Sequence, residues 1–344
     1  MAERMVLHVM PHSGGGGETY VDLLESMEGF RFRRVHLTEE GGRLEAIRGV
    51  PGARRAAADA DLVHVHGDSA AILCARILRR RPGVITFHGL NLLRRSRGPL
   101  RALVETGLRR AIRFSRAGIC VSSAEYEDAT ALAGRRLGER LVRIDNGVPE
   151  PGAPDPELRA TTRRELGLTD DQVAVLYVGQ LGPHKGVRDL LEALEIARAQ
   201  GARLTGLIAG DGPLLDLLAA EPAGAQLLGQ REDIDALLEA ADVFVMPSRR
   251  EGLSLAVLQA MRKGLAVVVS DGPGNPDAVG DSGMVFAYGE PGAMAAVLGK
   301  LAGDPELRGR LGERARERAS ARFDSVRMVE QTRQVYERAL EAES

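Results

Sequence analysis

Two segments of the sequence combine residues that could bind a phosphate and a sugar. The first, VLYVGQLGPHKG, places Lys185 after a predicted strand and a glycine-containing turn, just before a predicted helix. The second, MPSRREGLSLAVLQAM, places Glu251 and Gly252 after another predicted strand, with Gln259 about two turns along the next helix. The free N–H groups of a helix start and a lysine ammonium both attract an anion. Together the two segments predict one phosphate and sugar site.

Lysine is rare in this chain, which makes Lys185 informative. Only Lys185, Lys263 and Lys300 are lysines among the 46 basic residues. An ammonium is a compact point charge that suits a phosphate contact, whereas a guanidinium is a planar, delocalised cation with several N–H donors. The acid in the second segment, Glu251, follows two arginines that favour its ionised form if they lie close. An ordinary acid at an exposed helix start explains Glu251 equally well.

A loop with four glycines follows the first predicted strand. In PHSGGGGETY (11–20) the glycines would let backbone N–H groups approach a phosphate or a sugar without side-chain obstruction. The loop does not match the dinucleotide-binding fingerprint, because the sixth position from Gly14 is Thr19. A binding loop and a flexible surface turn both remain consistent with this segment.

Histidines occur in and directly after the predicted strands. His88 follows the strand 84–87 and could donate a hydrogen bond to a substrate hydroxyl or carry a proton; a helix cap or a packed neutral ring is the alternative. His64 and His66 lie two apart on one strand and therefore on one face, a spacing that a metal ion could use. Because no carboxylate or cysteine cluster accompanies them, we predict a structural role and no metal.

The elements that must position these residues alternate along the chain. Short apolar runs are separated by amphipathic runs, the pattern of parallel sheets covered by helices. Ligands of such sheets bind beyond the carboxyl ends of the strands, where the candidate residues fall. A proline-rich stretch, 146–159, separates two such halves and predicts a linker. The predicted strands are 5–9, 32–37, 62–65, 84–87, 117–121 and 141–144 in the first half, and 173–178, 204–209, 226–228, 243–246 and 266–269 in the second.

Composition limits the class of protein. With 344 residues, 44% hydrophobic and 27% charged, the chain is long enough for two globular cores. A formal charge of −2 argues against a nucleic-acid-binding protein as a whole. The cysteines, Cys74 and Cys120, lie in apolar stretches, and the first residues lack the order of a signal peptide. We therefore expect a cytoplasmic protein with buried thiols.

The region 76–116 is strongly basic, with twelve arginines against one acid, Glu105. Within 99–116 the apolar residues form a helical stripe that leaves five arginines mostly on other faces. Such a surface could bind anionic lipid, a phosphorylated acceptor or an acidic polymer. A helix that is simply solvated is the plainer account. No apolar run approaches the length of about 18 residues that spans a bilayer, so any contact with the inner membrane face would be peripheral.

Eight segments, in order and spacing, resemble glycosyltransferase family 4. They are DLVHVHG, FHGLN, CVSSAEYEDA, IDNGVPE, VGQLGPHKG, AGDGP, ADVFVMPS and EGLSLAVLQAM. The resemblance implies the α/β GT-B fold, in which two doubly wound Rossmann-like domains face each other across a cleft. It implies an acceptor domain at 1–150, a nucleotide-sugar donor domain at 151–324, and a final helix, 325–344, that returns to the first domain. The implied reaction moves a sugar from a nucleotide-diphosphate sugar to an acceptor hydroxyl with retention, without a metal or other cofactor.

The resemblance also assigns roles to residues of this chain. Lys185 would hold the diphosphate, Glu251 would contact the donor sugar, and His88 would approach the transferred sugar; these are the predicted catalytic residues. The residues implied on the donor side are Gly15, Gly16, Gln180, Lys185, Gly229, Arg231, Glu251, Gly252, Leu253, Ser254, Leu255 and Gln259. The candidates on the acceptor side are Asn91, Arg94, Arg95 and Ser122.

Two positions depart from the family pattern. Gln180 stands where the family usually has an arginine on the diphosphate, and Gln259 where it usually has a glutamate on the ribose. A lost charged contact would weaken donor binding by about 1.5–3 kcal/mol, unless Arg188, Arg249 or Arg250 replaces it. Two alternatives to a transferase therefore stay open: a non-catalytic or less active relative that serves as a partner subunit, and a nucleotide-sugar epimerase of the same fold.

Overall fold

The chain forms two compact units. The computed structural model describes residues 3–39, 42–220 and 223–341. The first unit consists of Met1–Asn146 together with Ser325–Ser344, and the second of Gly147–Asp324. The division after Asn146 falls at the start of the proline-rich stretch and close to the predicted boundary after residue 150. The last three residues of the predicted final helix, 342–344, lie outside the described residues.

Each unit contains a parallel six-stranded sheet in the part of the chain that the structure describes. The strands of the first unit are β1 Arg4–Met10, β2 Phe30–His36, β3 Leu62–His66, β4 Gly83–Phe87, β5 Ala117–Cys120 and β6 Leu141–Arg143. Those of the second are β7 Val173–Val178, β8 Leu204–Ala209, β9 Ala225–Gly229, β10 Val243–Met246, β11 Ala266–Ser270 and β12 Met284–Phe286. The sheet orders are β2-β1-β3-β4-β5-β6 and β12-β11-β10-β7-β8-β9. Two doubly wound sheets are the predicted α/β architecture.

Helices connect the strands in the order that the sequence pattern predicts. They are α1 Gly16–Leu24, α2 Arg43–Ala56, α3 Asp68–Leu78, α4 Asn91–Arg95, α5 Gly98–Phe114, α6 Ser123–Gly138, α7 Pro156–Glu165, α8 Val187–Ala199, α9 Leu215–Ala220, α10 Ile234–Ala240, α11 Leu255–Arg262, α12 Asn275–Val279, α13 Pro291–Gly303, α14 Pro305–Arg322 and α15 Ser325–Glu341. A short 3₁₀ turn, Ala57–Asp59, precedes β3. Parallel neighbours need long crossover connections, and these helices supply them.

The central strands are buried on both faces, as expected when helices cover a parallel sheet on both sides. Every residue of β3 and β4 is buried, and so is every residue of β8, β10 and β11. On one face of the first sheet, Tyr20 and Leu24 of α1 pack in the same apolar cluster as Val335 and Tyr336 of α15. The final helix is therefore part of the core of the first unit.

The two cysteines are buried and unpaired, as predicted. Burial raises the pKa of the Cys74 thiol to about 12. Among the described residues, no helix is both long enough and apolar enough to cross a bilayer.

Candidate functional site

The turns after β7 and β10 bring Lys185 and Glu251 together. Nζ of Lys185 lies 2.7 Å from Oε1 of Glu251, and the two side chains are only 18% and 13% exposed. Because β7 and β10 are neighbours in the sheet, their carboxyl ends open at the same edge. The two segments singled out in the sequence therefore meet in the structure.

The loops around this pair are packed backbone against backbone. Gly186, which precedes α8, has a φ of 70°, and a Cβ placed on it would lie 2.2 Å from the carbonyl oxygen of Pro247. The backbone N–H of Arg249 donates to the carbonyl of His184 at 2.8 Å, and that of Glu251 donates to the carbonyl of Pro273 at 2.9 Å. Glycine at 186 is thus required both by the left-handed backbone and by the close approach.

A small buried network fixes the start of the loop that carries Glu251. Asn275 Nδ2 donates to the carbonyl of Ser248 at 3.2 Å and to Ser270 Oγ at 2.9 Å, and Ser270 Oγ also donates to the Ser248 carbonyl. Ser248 lies in the turn after β10, Ser270 ends β11 and Asn275 begins α12. None of the three was a candidate from the sequence, since their role depends on which strands are neighbours.

The start of α11 lies directly after Glu251. Ser254 is the cap residue of this helix, but its side chain makes no capping hydrogen bond, and Leu255 is the first helical residue. Gly252 and Leu253 are buried, whereas Gln259 is half-buried one and a half turns into the helix. Backbone N–H groups at such a helix start remain available to an anion.

The other lysines have different surroundings. Lys263 Nζ pairs with Glu239 Oε2 at 2.9 Å, and Lys300 is exposed on α13. Neither follows the carboxyl end of a strand directly, so Lys185 alone of the three has the position expected of a phosphate contact.

The remaining donor-side candidates lie in several turns. Gln180 is exposed, and its carbonyl accepts a hydrogen bond from the Tyr177 hydroxyl at 2.9 Å. Gly229 ends β9 and accepts from the Gly210 N–H at 2.7 Å, while Arg231 forms an ion pair with Asp233. Gly15 and Gly16 belong to the first unit. They are exposed at the start of α1, where Gly15 has a φ of 81°.

In the first unit, His88 ends a row of hydrogen-bonded imidazoles that we call the histidine row: His88, His66 and His8. His88 Nε2 lies 3.1 Å from His66 Nδ1, and His66 Nε2 lies 2.8 Å from His8 Nδ1. Burial lowers the pKa of His88 to about 4, and burial with the nearby Arg34 charge lowers that of His8 to about 3. Burial also holds the pKa of His66 well below its usual value. The three rings are neutral near pH 7.

Three histidines are close enough to be considered as metal ligands. Ring nitrogens of His8, His64 and His66 lie within 4.8 Å of one another. His64 Nδ1, however, lies 2.6 Å from the Tyr336 hydroxyl and His64 Nε2 lies 2.7 Å from Thr86 Oγ1, and both nitrogens of His66 belong to the histidine row. A metal ion would have to replace these hydrogen bonds, so the geometry favours hydrogen-bonded rings.

Two buried carboxylates hold the loop that follows His88. Glu125 accepts hydrogen bonds from the backbone N–H groups of Gly89 and Val121, and burial raises its pKa to about 8. Asp68 accepts from the N–H groups of Leu92 at 2.5 Å and Leu93 at 3.2 Å. Neither acid was among the site residues predicted from the sequence. The spacing Ser-x-x-Glu before an apolar run would have indicated Glu125 as part of a helix cap.

The four acceptor-side candidates lie around this same loop or beside it. Asn91 and Arg95 are exposed at the two ends of α4. Arg94 pairs with Asp128 at 2.7 Å. Ser122 is buried and caps α6, where its Oγ accepts from the Glu125 N–H at 3.2 Å. The structure thus gives Arg94 and Ser122 partners within the protein and leaves Asn91 and Arg95 at the surface.

Comparison with known proteins agrees with this architecture. The family described as "Glycosyltransferase Family 4" matches residues 7–150, and that described as "Glycosyl transferases group 1" matches residues 159–318. The chain is 30% identical over 309 residues to alpha-maltose-1-phosphate synthase of Mycobacterium tuberculosis (82% of this chain, 80% of the relative). It is 26% identical over 339 residues to alpha-D-kanosaminyltransferase of Streptomyces kanamyceticus (90% and 85%).

A solved structure shows the same fold. The crystal structure of Anabaena HepE in complex with UDP and glucose is similar with a TM-score of 0.78 at 21% identity, covering 97% of this chain and 100% of that one. One family match lies in each unit, and a relative at 30% identity is matched over four-fifths of its length. The chain therefore belongs to glycosyltransferase family 4, the nucleotide-sugar-dependent transferases of the GT-B fold.

Proposed function

We propose that Lys185 and Glu251 bind the diphosphate and sugar of a nucleotide-sugar donor, and that transfer proceeds with retention. The observation that carries this proposal is the buried ion pair of 2.7 Å between the two side chains at the carboxyl ends of β7 and β10. A largely buried ammonium needs a negative partner. Without donor that partner is Glu251; with donor, the three N–H bonds of the ammonium can be shared with a pyrophosphate oxygen.

The helix starts near this pair supply further positive potential. α8 begins just after Lys185 and α11 just after Glu251, and the N-terminus of a helix carries partial positive charge and free N–H donors. The ammonium and these N–H groups would together stabilise the charge that grows on the leaving diphosphate. The proposed reaction therefore needs no metal ion.

Arg249 is the residue that we propose compensates for Gln180. Its side chain is exposed, and its backbone N–H bonds the carbonyl of His184, the neighbour of Lys185. A guanidinium placed there can replace the charged contact that Gln180 lacks. At Gln259 the amide can still hydrogen-bond a ribose hydroxyl.

In the proposed chemistry the acceptor hydroxyl attacks the anomeric carbon from the face that the diphosphate leaves. The new bond joins the acceptor oxygen to that carbon, the bond from the carbon to the diphosphate oxygen breaks, and the leaving oxygen takes the acceptor proton. Because burial lowers the pKa of His88 to about 4, this ring is neutral near pH 7 and serves as a hydrogen-bond donor to a sugar hydroxyl rather than as an acid. The protein contributes mainly positioning and charge stabilisation.

Calorimetric titration with nucleoside diphosphates tests the donor site. UDP is the first to test, since the similar Anabaena structure contains it, and ADP and GDP follow. We expect one of them to bind the wild type, and Lys185→Ala to weaken its binding by roughly 10- to 100-fold, equal to a lost charged contact of about 1.5–3 kcal/mol. Failure of all of them to bind would contradict the proposal and favour a non-catalytic partner subunit.

Product analysis with the donor sugar alone separates a transferase from an epimerase. A transferase leaves the configuration of the donor sugar unchanged when no acceptor is present. Conversion of the sugar to its epimer under these conditions would favour the epimerase alternative.

We also propose that the outer face of α5 contacts anionic lipid at a membrane surface. α5 buries Val104, Leu108 and neighbouring apolar residues against α3, yet Leu100 and Leu103 are 47% and 69% exposed. Arg110, two turns after Leu103, is exposed on the same side. Exposed leucines beside arginines suit an interface where the apolar groups insert and the cations contact lipid phosphates.

Vesicle sedimentation tests this surface. We expect binding to vesicles with anionic phosphatidylglycerol, little binding to neutral phosphatidylcholine, and loss at high salt. Leu103→Ser should weaken binding roughly tenfold, because it removes an inserting apolar side chain. Leu217→Ser, at a leucine 49% exposed on α9 of the second unit, is the matched control. Equal binding to both kinds of vesicle, or none to either, would show that α5 is only solvated.

A further inference from the structure

The histidine row couples the tautomers of its three rings. Each neutral imidazole carries one N–H and one bare nitrogen. His66 uses both of its ring nitrogens on other imidazoles, at 3.1 Å to His88 and 2.8 Å to His8. Its tautomer therefore fixes which nitrogen of His88 carries a proton, and which nitrogen of His8 does. Only two arrangements of the row satisfy both hydrogen bonds.

His8, at the end of the row away from His88, distinguishes these two arrangements. His8 Nε2 is buried and has no hydrogen-bond partner among the described residues. If all three rings carry the proton on Nε2, this atom is a buried N–H donor without an acceptor. If all three carry it on Nδ1, the atom is a bare nitrogen. A buried N–H without an acceptor is rarer in folded proteins than an acceptor without a donor, so the row favours Nδ1–H throughout.

The rings have little freedom to leave this arrangement. The His66 and His88 rings are stacked, with centroids 5.4 Å apart and planes inclined by 18°. The Tyr20 ring packs edge-on against His88 at 4.9 Å and against His66 at 5.9 Å. The backbone after His88 is held by the Glu125 carboxylate through the Gly89 N–H. Packing and hydrogen bonds together restrict rotation of the His88 side chain.

We propose that His66 and His8 are positioning residues, which hold His88 as its Nδ1–H tautomer so that this N–H donates to a sugar hydroxyl. The inference deepens the proposed function and rests on it for the identity of the hydroxyl. His88 Nε2 is used within the row, so Nδ1 is the atom that His88 can offer to a ligand, and the structure gives Nδ1 no partner among the described residues. Without the row a neutral His88 could present either a donor or an acceptor there.

Nitrogen NMR of the full chain, labelled with ¹⁵N-histidine, tests the tautomers directly. The signals of His88 are identified by their loss in His88→Gln. We expect His8, His66 and His88 of the wild type to be protonated on Nδ1 at pH 7.5. A His88 ring protonated on Nε2 in the wild type would overturn the proposal, and the tautomer itself is read from the wild-type spectrum.

Two substitutions at the central ring extend the test. His66→Leu removes the donor to His88, so the Nε2–H tautomer of His88 should become populated and kcat should fall roughly tenfold, the loss of one oriented neutral hydrogen bond. His66→Asn is the matched control, because its amide nitrogen lies near the position of Nδ1 and can donate to His88. It should keep His88 protonated on Nδ1 and recover most of kcat. Retention of pure Nδ1–H in His66→Leu would overturn the coupling.

Measurements of nucleotide binding distinguish a failure of this inference from a failure of the proposed function. The dissociation constant for the bound nucleoside diphosphate should be the same in His66→Leu and the wild type, since the residues proposed to bind it lie in the second unit. If the wild type binds no nucleoside diphosphate, the proposed function fails whatever the tautomers are. If binding and tautomers are as expected but His88→Leu transfers sugar at the wild-type rate, the role assigned to His88 is wrong. Stoichiometric zinc with histidine signals that shift on chelation would overturn the hydrogen-bonded row itself.

Discussion

Replacing Lys185 with alanine should lower the rate of sugar transfer by roughly 10²- to 10³-fold, while the fold is retained. The ammonium lies 2.7 Å from Glu251, and it is proposed to meet the charge that develops on the leaving diphosphate. Removal of one group that stabilises a developing oxyanion typically lowers turnover by about this factor. Initial rates with the donor identified by calorimetry measure the effect, and circular dichroism checks that the secondary structure is unchanged.

Lys300→Ala is the control for this result. It makes the same substitution at an exposed lysine on α13, away from the turns after β7 and β10, and should leave the transfer rate within twofold of the wild type. Wild-type turnover in Lys185→Ala would count decisively against the proposed donor site. A loss that is equally large in Lys300→Ala would show that the effect is not specific to the ammonium beside Glu251.

Gly186→Ala should destabilise the protein by about 2–5 kcal/mol. An alanine with the left-handed φ of 70° lowers the free energy of unfolding by about 1–2 kcal/mol. Its Cβ would also lie 2.2 Å from the Pro247 carbonyl oxygen, and relief of such an overlap costs about 1–3 kcal/mol more. Because the displaced backbone carries Lys185, transfer should fall as well. Urea denaturation, followed by circular dichroism, measures the change in the free energy of unfolding.

Gly299→Ala serves as the comparison for the glycine substitution. Gly299 lies inside α13, and a Cβ there would meet nothing within 4 Å. The substitution should stabilise the protein by about 0.4–1 kcal/mol, because alanine has less backbone freedom than glycine in the unfolded chain. Gly186→Ala with wild-type stability would mean that the loop after β7 can move away from Pro247 without loss, and that this turn does not fix the position of Lys185.

The sequence predicted eleven of the twelve strands in the described residues because each is an apolar run flanked by turn residues. β12, Met284–Phe286, was not predicted. It has three residues in a region rich in glycine and aspartate, so its strand character comes from pairing with β11 rather than from its own composition. The ends of the other strands agree with the prediction to within two residues, and β7, β8 and β10 match it at both ends.

The meeting of Lys185 and Glu251 was predictable because each residue lies in the turn after its strand. Lys185 and Glu251 lie 66 positions apart, but each stands at the carboxyl end of a recognisable strand, and parallel sheets bring such ends to one edge. His8 was not a candidate because it lies within β1, and its bond to His66 requires the register that pairs β1 with β3. Tyr336 is still further away, 272 positions from His64. Contacts of this kind depend on tertiary packing that periodicity does not encode.

The place of α15 in the first unit has a consequence for synthesis on the ribosome. Translation produces all of 147–324 before Ser325, so a nascent chain has every strand of both sheets before it has the helix that brings Val335 and Tyr336 onto the first of them. Until then Tyr20 and Leu24 lack part of their apolar cover, and His64 lacks the hydroxyl that its Nδ1 contacts. The unit that is begun first is thus completed last, and during that interval its incompletely covered apolar face is the surface most exposed to aggregation.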